Sequence, residues 1–241
     1  MEPTEAPWTL RDIGKAIGLV ILAIIMTAIP AGLIAVILAD GEDTTKHPSA
    51  LTVQLAAGAF LEIALLLTAI HFTVRKYGTP LSALGFKKPE RGGFWSTVGI
   101  AVALVIAGLV VNFIYFEALA LVGIEPETDI EEIFQSPGPL ITIALLSLLF
   151  APLMEEVFYR GFVFGGLQAR WGLAWAALAS GLLFGVSHLG NPAGIYLVPP
   201  VTAIGAMFAL AYAYSGSIVT SFLAHFIFNF FALGAGIAEY S

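Results

Sequence analysis

The chain is a succession of long apolar runs separated by short polar loops. A bilayer's hydrocarbon core is about 30 Å thick and takes about 20 apolar residues of helix to cross. Runs of that size lie near residues 13–39, 50–74, 94–122, 139–168, 172–189, 197–214 and 217–238. Between them fall GEDTTKHPS, RKYGTPLSALGFKKPERGG, GIEPETDIEEIFQSPG, the turn Asn191-Pro192-Ala193-Gly194, and Ser215-Gly216. No internal repeat, heptad or separate soluble stretch interrupts the rhythm. The pattern predicts an all-α, polytopic transmembrane bundle of about seven to eight helices, forming one integral membrane domain over residues 1–241.

Composition agrees with the pattern. The chain is 59% hydrophobic and 11% charged, with a mean hydropathy of +0.92. A soluble domain carries roughly 25% charged residues, so too little charge is present to cover a water-facing surface. The absence of cysteine excludes disulfides, thiolate nucleophiles, cysteine-type zinc sites and iron–sulfur clusters. A net charge of −7 with ten basic residues argues against nucleic acid as a partner, because phosphate binding needs a basic face. The opening MEPTEAPWTLRD is acidic and lacks a signal-peptide n-region. The run after it is too long for an h-region and is expected to stay in the mature chain.

The basic residues set an expected orientation. Arg75, Lys76, Lys87, Lys88 and Arg91 share the 75–93 loop, and Arg11 and Lys15 flank the first run. The 123–138 loop carries five acids and no base. The N-terminus and the 75–93 loop are therefore expected on the cytoplasmic side, in the cell membrane if the source is prokaryotic. Trp8, Trp95 and Trp171 fall near expected boundaries, as interfacial aromatic belts do.

Charged groups inside a membrane cost roughly 2.5–3.5 kcal/mol each on insertion scales and mark functional sites by default. The sharpest cluster is APLMEEVFYRG. Glu156 and Arg160, spaced i,i+4, share a helix face and can pair. Glu155 points about 100° away and is left free for chemistry, although a structural ion-pair knot would use the same three residues. His188 ends the fifth run, four residues after Phe184. In the last run Ser217, Ser221, His225 and Asn229 recur every four residues, a polar stripe that must face protein because lipid offers no hydrogen-bond partner. If the chain turns at Arg170, Glu155 and His188 lie at similar depth. Pro152 is expected to bend the helix before the glutamates. Gln54, Glu62, Asn112 and Glu117 read as packing or near-interface polar residues, with Glu62 as a further residue that could line the cavity. His47 and His71 are expected at the surface.

This inventory holds one or two carboxylates, two imidazoles, a carboxamide and a guanidinium. No serine has a base–orienter pair, so covalent catalysis is unsupported. A buried glutamate with His188 beside it suits water activation, and His225 with Asn229 can donate to one oxygen as an oxyanion hole. That combination describes amide hydrolysis within the membrane. Zinc ligation by Glu155, His188 and His225 is the alternative use of the same groups; the H-E-x-x-H spacing is absent, and the residues leave the choice open. Non-catalytic peptide binding or immunity in the same cavity is the rival function.

EEVFYR matches E-E-x-x-x-R, FGVSH matches F-x-x-x-H and HFIFN matches H-x-x-x-N, in that order between about Pro139 and Ala232. This series resembles the CPBP family of CAAX proteases and bacteriocin-processing proteins, also called the Abi family, whose eukaryotic member is the Ras-converting CAAX endopeptidase. The resemblance implies an all-helical intramembrane endopeptidase in which Glu155 and His188 activate water and His225 and Asn229 form the oxyanion site. Glu156 and Arg160 would support the constellation, with Phe184 and Ser221 as flanking motif positions. No cofactor is expected on the glutamate-type reading, and zinc on the metalloprotease one. The expected partners are the lipid bilayer and a peptide or lipidated-protein substrate, with CAAX-type or bacteriocin-type processing as the two substrate classes.

Overall fold

The computed structural model describes residues 6–126, 130–190 and 193–240. The acidic start at 1–5, part of the acidic loop at 127–129, and Asn191 and Pro192 of the expected turn lie outside the described residues.

Helix α1 (Leu10–Ala39) opens on a reciprocal cap. Thr9 accepts from the Asp12 amide, and the Asp12 carboxylate accepts from the Thr9 amide at 2.9 Å, which satisfies two free helix-end donors. Helix α2 (Pro48–Ile70) is capped by His47, whose Nδ1 accepts from the Ala50 amide, so this histidine has a local structural task. The helix runs on as a π turn over His71–Arg75. Helix α3 (Gly93–Leu121) follows the basic loop. Next come the short α4 (Glu131–Gln135) and a long composite element. That element is α5 (Pro137–Leu145), a π turn (Leu146–Phe150), α6 (Ala151–Glu155), a π segment (Glu156–Phe164) and α7 (Gly165–Val186). Pro152 lies in the first turn of α6, directly after the π turn, and π turns re-route the backbone ladder that a proline interrupts. Helices α8 (Val198–Ser215) and α9 (Ile218–Tyr240) complete the chain, and the described residues contain no strand.

Six stretches are long and apolar enough to cross a membrane: Leu10–Ala39, Pro48–Arg75, Gly93–Leu121, Pro137–Gly190, Gly194–Ser215 and Ile218–Tyr240. The fourth doubles back. Inside α7, Gly172 adopts φ 75°, ψ 173°, a conformation that only glycine takes without strain. Beyond it Ser180 donates to the Tyr159 carbonyl at 2.7 Å, and Phe184 meets the Tyr159 ring at 5.3 Å. With the fourth stretch doubling back, the described residues make six to seven helical passes, slightly under the seven to eight expected. The protein is an all-α, integral, multi-pass membrane protein.

Helix α1 packs on α2, α7 on α8, and α3 on both α8 and α9. One end of the bundle is tied together by polar contacts. Lys76 and Tyr77 bond the buried Asp12 carboxylate, the Ser217 hydroxyl donates to the Lys87 carbonyl, and the Ile218 amide donates to Gly85 at 3.1 Å. The loop and helix ends gathered there carry eight of the ten basic residues; Lys46 and Arg160 are the others.

One expectation is corrected here. Trp8 is not an interfacial belt residue: it is 2% exposed, and its Nε1 donates to the Phe162 carbonyl at 2.9 Å. Gly166 leaves room for the indole, and a buried Trp N–H takes a partner where one is in reach. Trp95 and Trp171 are exposed, as expected.

Candidate functional site

The site is built where the α6–π segment junction, the end of α7, α8 and α9 converge. All nine residues of the π segment are buried, and widened π turns concentrate at functional positions. Arg160 has no exposed surface. Its Nη1 pairs with Glu156 Oε1 at 2.8 Å, and its Nη2 donates to the Gly205 carbonyl at 3.1 Å. Phe184, Phe208 and Tyr159 surround the guanidinium with ring centroids at 4.4, 5.3 and 5.9 Å. A charge buried this deeply persists only when paired and hydrogen-bonded. Gly205 is required for the fit, because a Cβ there would lie 2.8 Å from the Phe184 ring and 3.3 Å from Arg160 Nη2.

The two adjacent glutamates receive different surroundings. Glu156 is fully buried and spent on Arg160. Glu155 makes no described ion pair with arginine and keeps about 10% of its side-chain surface exposed. His225 spans the two, with Nδ1 at 3.2 Å from Glu156 Oε1 and Nε2 at 3.6 Å from Glu155 Oε2. The second separation exceeds a hydrogen bond, so this imidazole is anchored on Glu156 and presents Nε2 toward Glu155. A carboxylate only accepts, which places a proton on Nδ1.

His188 is half-buried, in the 3₁₀ turn Ser187–Gly190 that ends the returning pass. Its Nδ1 lies 2.8 Å from the Phe184 carbonyl. A carbonyl also only accepts, so Nδ1 carries the proton and Nε2 is left as a free acceptor. The Phe184 ring meets the His188 imidazole at 4.8 Å and the His225 imidazole at 5.6 Å, so one phenyl group sets the positions of both histidines and the guanidinium.

The serine–histidine–asparagine stripe on α9 faces protein, as its spacing requires: Ser217 and Ser221 are fully buried and His225 is 4% exposed. Ser221 donates to the Ile218 carbonyl at 3.3 Å. Asn229 is set apart from the cluster. Its Nδ2 donates to the Ser147 carbonyl at 2.8 Å, in the π turn Leu146–Phe150. One amide N–H is used there and the second remains available. The structure thus brings Glu155, Glu156, Arg160, Phe184 and His225 into direct contact, joins His188 through Phe184, and anchors Asn229 one turn further along α9.

Among the described residues, no three His, Asp or Glu side chains converge closely enough to hold a metal ion. The zinc set of Glu155, His188 and His225 is not assembled in this arrangement. An apolar cleft of about 900 Å³ opens beside the site, between α1, α2, the π segment and the end of α7. Ile17, Ile24, Gly58, Leu61, Tyr159 and Ser187 are among its lining residues.

Glu62, expected as a packing or near-interface polar residue that could also line the cavity, is 7% exposed on α2, which packs against α6 and the π segment. The available signal is that it is the sole acid in the 50–74 run.

Fold and site together define a class: a helical membrane protein with a buried glutamate–histidine constellation held around an arginine. Residues 137–231 match the family described as Type II CAAX prenyl endopeptidase Rce1-like. The resemblance drawn from the three motifs therefore stands over the segment that carries them. The chain is also 29% identical over 143 residues to "Putative membrane peptidase YdiL" of Bacillus subtilis, an alignment covering 58% of this chain and 54% of that protein. It thus spans about half the length of the curated relative it matches. No solved structure matches.

Proposed function

We propose that the protein is an intramembrane endopeptidase that hydrolyses peptide bonds with a water activated by Glu155. The observation that carries this reading is the division between the neighbouring glutamates. Arg160 takes Glu156 at 2.8 Å, whereas Glu155 has no arginine partner among the described residues, faces His225 Nε2 at 3.6 Å and keeps part of its side chain open. A carboxylate in such surroundings is a general base toward water.

Water held between Glu155 and the free Nε2 of His188 attacks the scissile carbonyl carbon. Its proton passes to Glu155, and the carbonyl oxygen becomes the oxyanion. The second N–H of Asn229 and the Nε2 of His225 lie on the α9 face that would meet this oxygen; with Nδ1 already donating to Glu156, His225 donates from Nε2 as the imidazolium, in a water-poor site where donors are worth most. Collapse expels the amine, which takes the proton from Glu155 and leaves that group ready for the next turnover. Glu156 and Arg160 hold His225 and the π segment in place, Phe184 spaces the two imidazoles, and Ser221 packs under Glu156. The family match over 137–231 and the relative's printed name support peptidase chemistry. The apolar cleft beside Tyr159 suits a substrate that reaches the site from the membrane, such as a lipidated C-terminus or a hydrophobic peptide. By the positive-inside rule, the end of the bundle rich in basic residues, with the start of α1, would face the cytoplasm.

The test is cleavage of lipidated and unmodified peptides by the protein in lipid nanodiscs, with His188→Ala and Asn229→Ala alongside the parent. Each is run with and without chelator. Turnover that falls about 10²-fold or more in both variants and survives chelation supports the reading. Loss on chelation transfers the chemistry to a metal. Peptide binding without turnover points to the non-catalytic alternative.

A further inference from the structure

The carbonyl that holds Asn229 lacks the backbone donors a helix would give it. In an α-helix the Ser147 carbonyl takes the amide of Ala151, four residues on; in a π turn it takes the amide of residue 152, five residues on. Neither donor reaches it. The Ala151 amide donates instead to the Leu146 carbonyl, which closes the π turn Leu146–Phe150. Residue 152 is Pro152, buried in the first turn of α6, and proline has no N–H to give.

Lipid offers no donor to such a carbonyl, so a neighbouring helix has to supply one. Helix α9 packs on this π turn and on α6, and Asn229 Nδ2 donates to the Ser147 carbonyl at 2.8 Å. A carbonyl only accepts, so the contact fixes which end of the carboxamide turns toward α6 and leaves its second N–H for another acceptor. Glu155 follows Pro152 by three residues on the same short helix. The proline therefore sits between the carbonyl that orients Asn229 and the carboxylate assigned to water activation.

We propose that Pro152 is a positioning residue for Asn229: by withholding the N–H that would occupy the Ser147 carbonyl, it keeps that carbonyl open as the acceptor that orients the carboxamide. The effect on turnover rests on the endopeptidase reading, in which Asn229 meets the oxyanion; the competition for the carbonyl does not. Alanine at 152 restores the missing amide, the helix ladder claims Ser147, and Asn229 loses its anchor while every atom of its side chain remains.

The chain holds three asparagines, Asn112, Asn191 and Asn229. Isotopic labelling of asparagine side-chain nitrogens in the full chain in nanodiscs therefore gives a simple carboxamide NMR spectrum, with Asn229 assigned by its loss in Asn229→Ala. In the parent, one Asn229 proton is expected downfield and slow to exchange; in Pro152→Ala it moves to the position of a free carboxamide. A free Asn229 carboxamide in the parent, or an unchanged one in Pro152→Ala, overturns the proposal.

In turnover, Pro152→Ala is expected to lower kcat about tenfold with KM little changed. It should cost nothing further in an Asn229→Ala background, because the two changes act through one side chain. The α-hydroxy analogue of alanine at 152 puts an ester oxygen where the amide was, again lacks the donor, and is expected to recover most of the loss. Equal losses from alanine and its α-hydroxy analogue would assign the effect to the proline ring, and losses that multiply in the double variant would place it outside Asn229; either result overturns the proposal. If Asn229→Ala turns over like the parent, the oxyanion reading fails, and the carboxamide spectra still decide whether Pro152 frees the carbonyl.

Discussion

Helix α1 and the π segment Glu156–Phe164 are both rich in large apolar side chains, and the bundle uses them in opposite ways. Of the thirty residues of α1, seven are buried, and those beyond the first turns are Val20 and the small Ala31, Ala35 and Ala39. Its large side chains, such as Leu33 at 63% and Ile37 at 75% exposure, face outward where lipid lies. In the π segment all nine residues are buried, and charged Glu156 and Arg160 lie among the aromatics. Apolarity in α1 answers to the solvent, whereas in the π segment it builds the dry wall around the Glu156–Arg160 ion pair. Hydropathy alone does not separate the two; polar partners do.

The contrast breaks most readily at the charge. Arg160→Met removes the guanidinium and leaves Glu156 buried without a counter-ion, and breaking such a pair costs about 3–5 kcal/mol. Thermal unfolding in nanodiscs should show a large fall in Tm, or no folded protein; a Tm near the parent's contradicts the pair's role. Next in size is Gly205→Ala. The added methyl meets Phe184 and Arg160 Nη2, and overpacking of this kind costs typically 1–3 kcal/mol. Turnover should fall with it, because Phe184 positions both histidines; a stable variant with full turnover would dissociate that ring from the site.

A smaller effect is expected at Trp8→Phe, which keeps the ring packing and removes the bond to the Phe162 carbonyl. The loss should be about 1 kcal/mol, read as a modest fall in Tm. At the far end of the scale, Leu33→Ala on the lipid face of α1 is expected to change stability by less than about 0.5 kcal/mol. A drop as large as that of Gly205→Ala would mean α1 has a protein partner on that side.

Much of the fold was legible because each pass must meet a fixed membrane thickness with apolar side chains. The runs ending at 39 and 74 and the corner near 168–172 correspond to the ends of α1 and of the α2 π turn and to the break at Gly172. The pairing of Glu156 with Arg160 followed from i,i+4 geometry, and the inward face of the Ser217–Asn229 stripe from the absence of partners in lipid. What stayed hidden depends on neighbours far along the chain. Trp8 looked interfacial because nothing local shows that Gly166 clears a pocket for it 158 positions away. The span of His225 across both glutamates requires the π segment, whose register no hydropathy pattern encodes. The attachment of Asn229 to the Ser147 carbonyl comes from the widened turn at Leu146–Phe150, and the burial of Glu62 appears only once α2 is laid against α6.

The central claim is that two adjacent glutamates do different work, Glu155 chemical and Glu156 structural. The most direct measurement is turnover and thermal stability, side by side in nanodiscs, for Glu155→Gln and Glu156→Gln. The expected result is that Glu155→Gln keeps its Tm and loses turnover by about 10²-fold or more, while Glu156→Gln loses stability by roughly 3 kcal/mol or more. Retained turnover in Glu155→Gln, or the same loss of stability in both variants, would contradict the account.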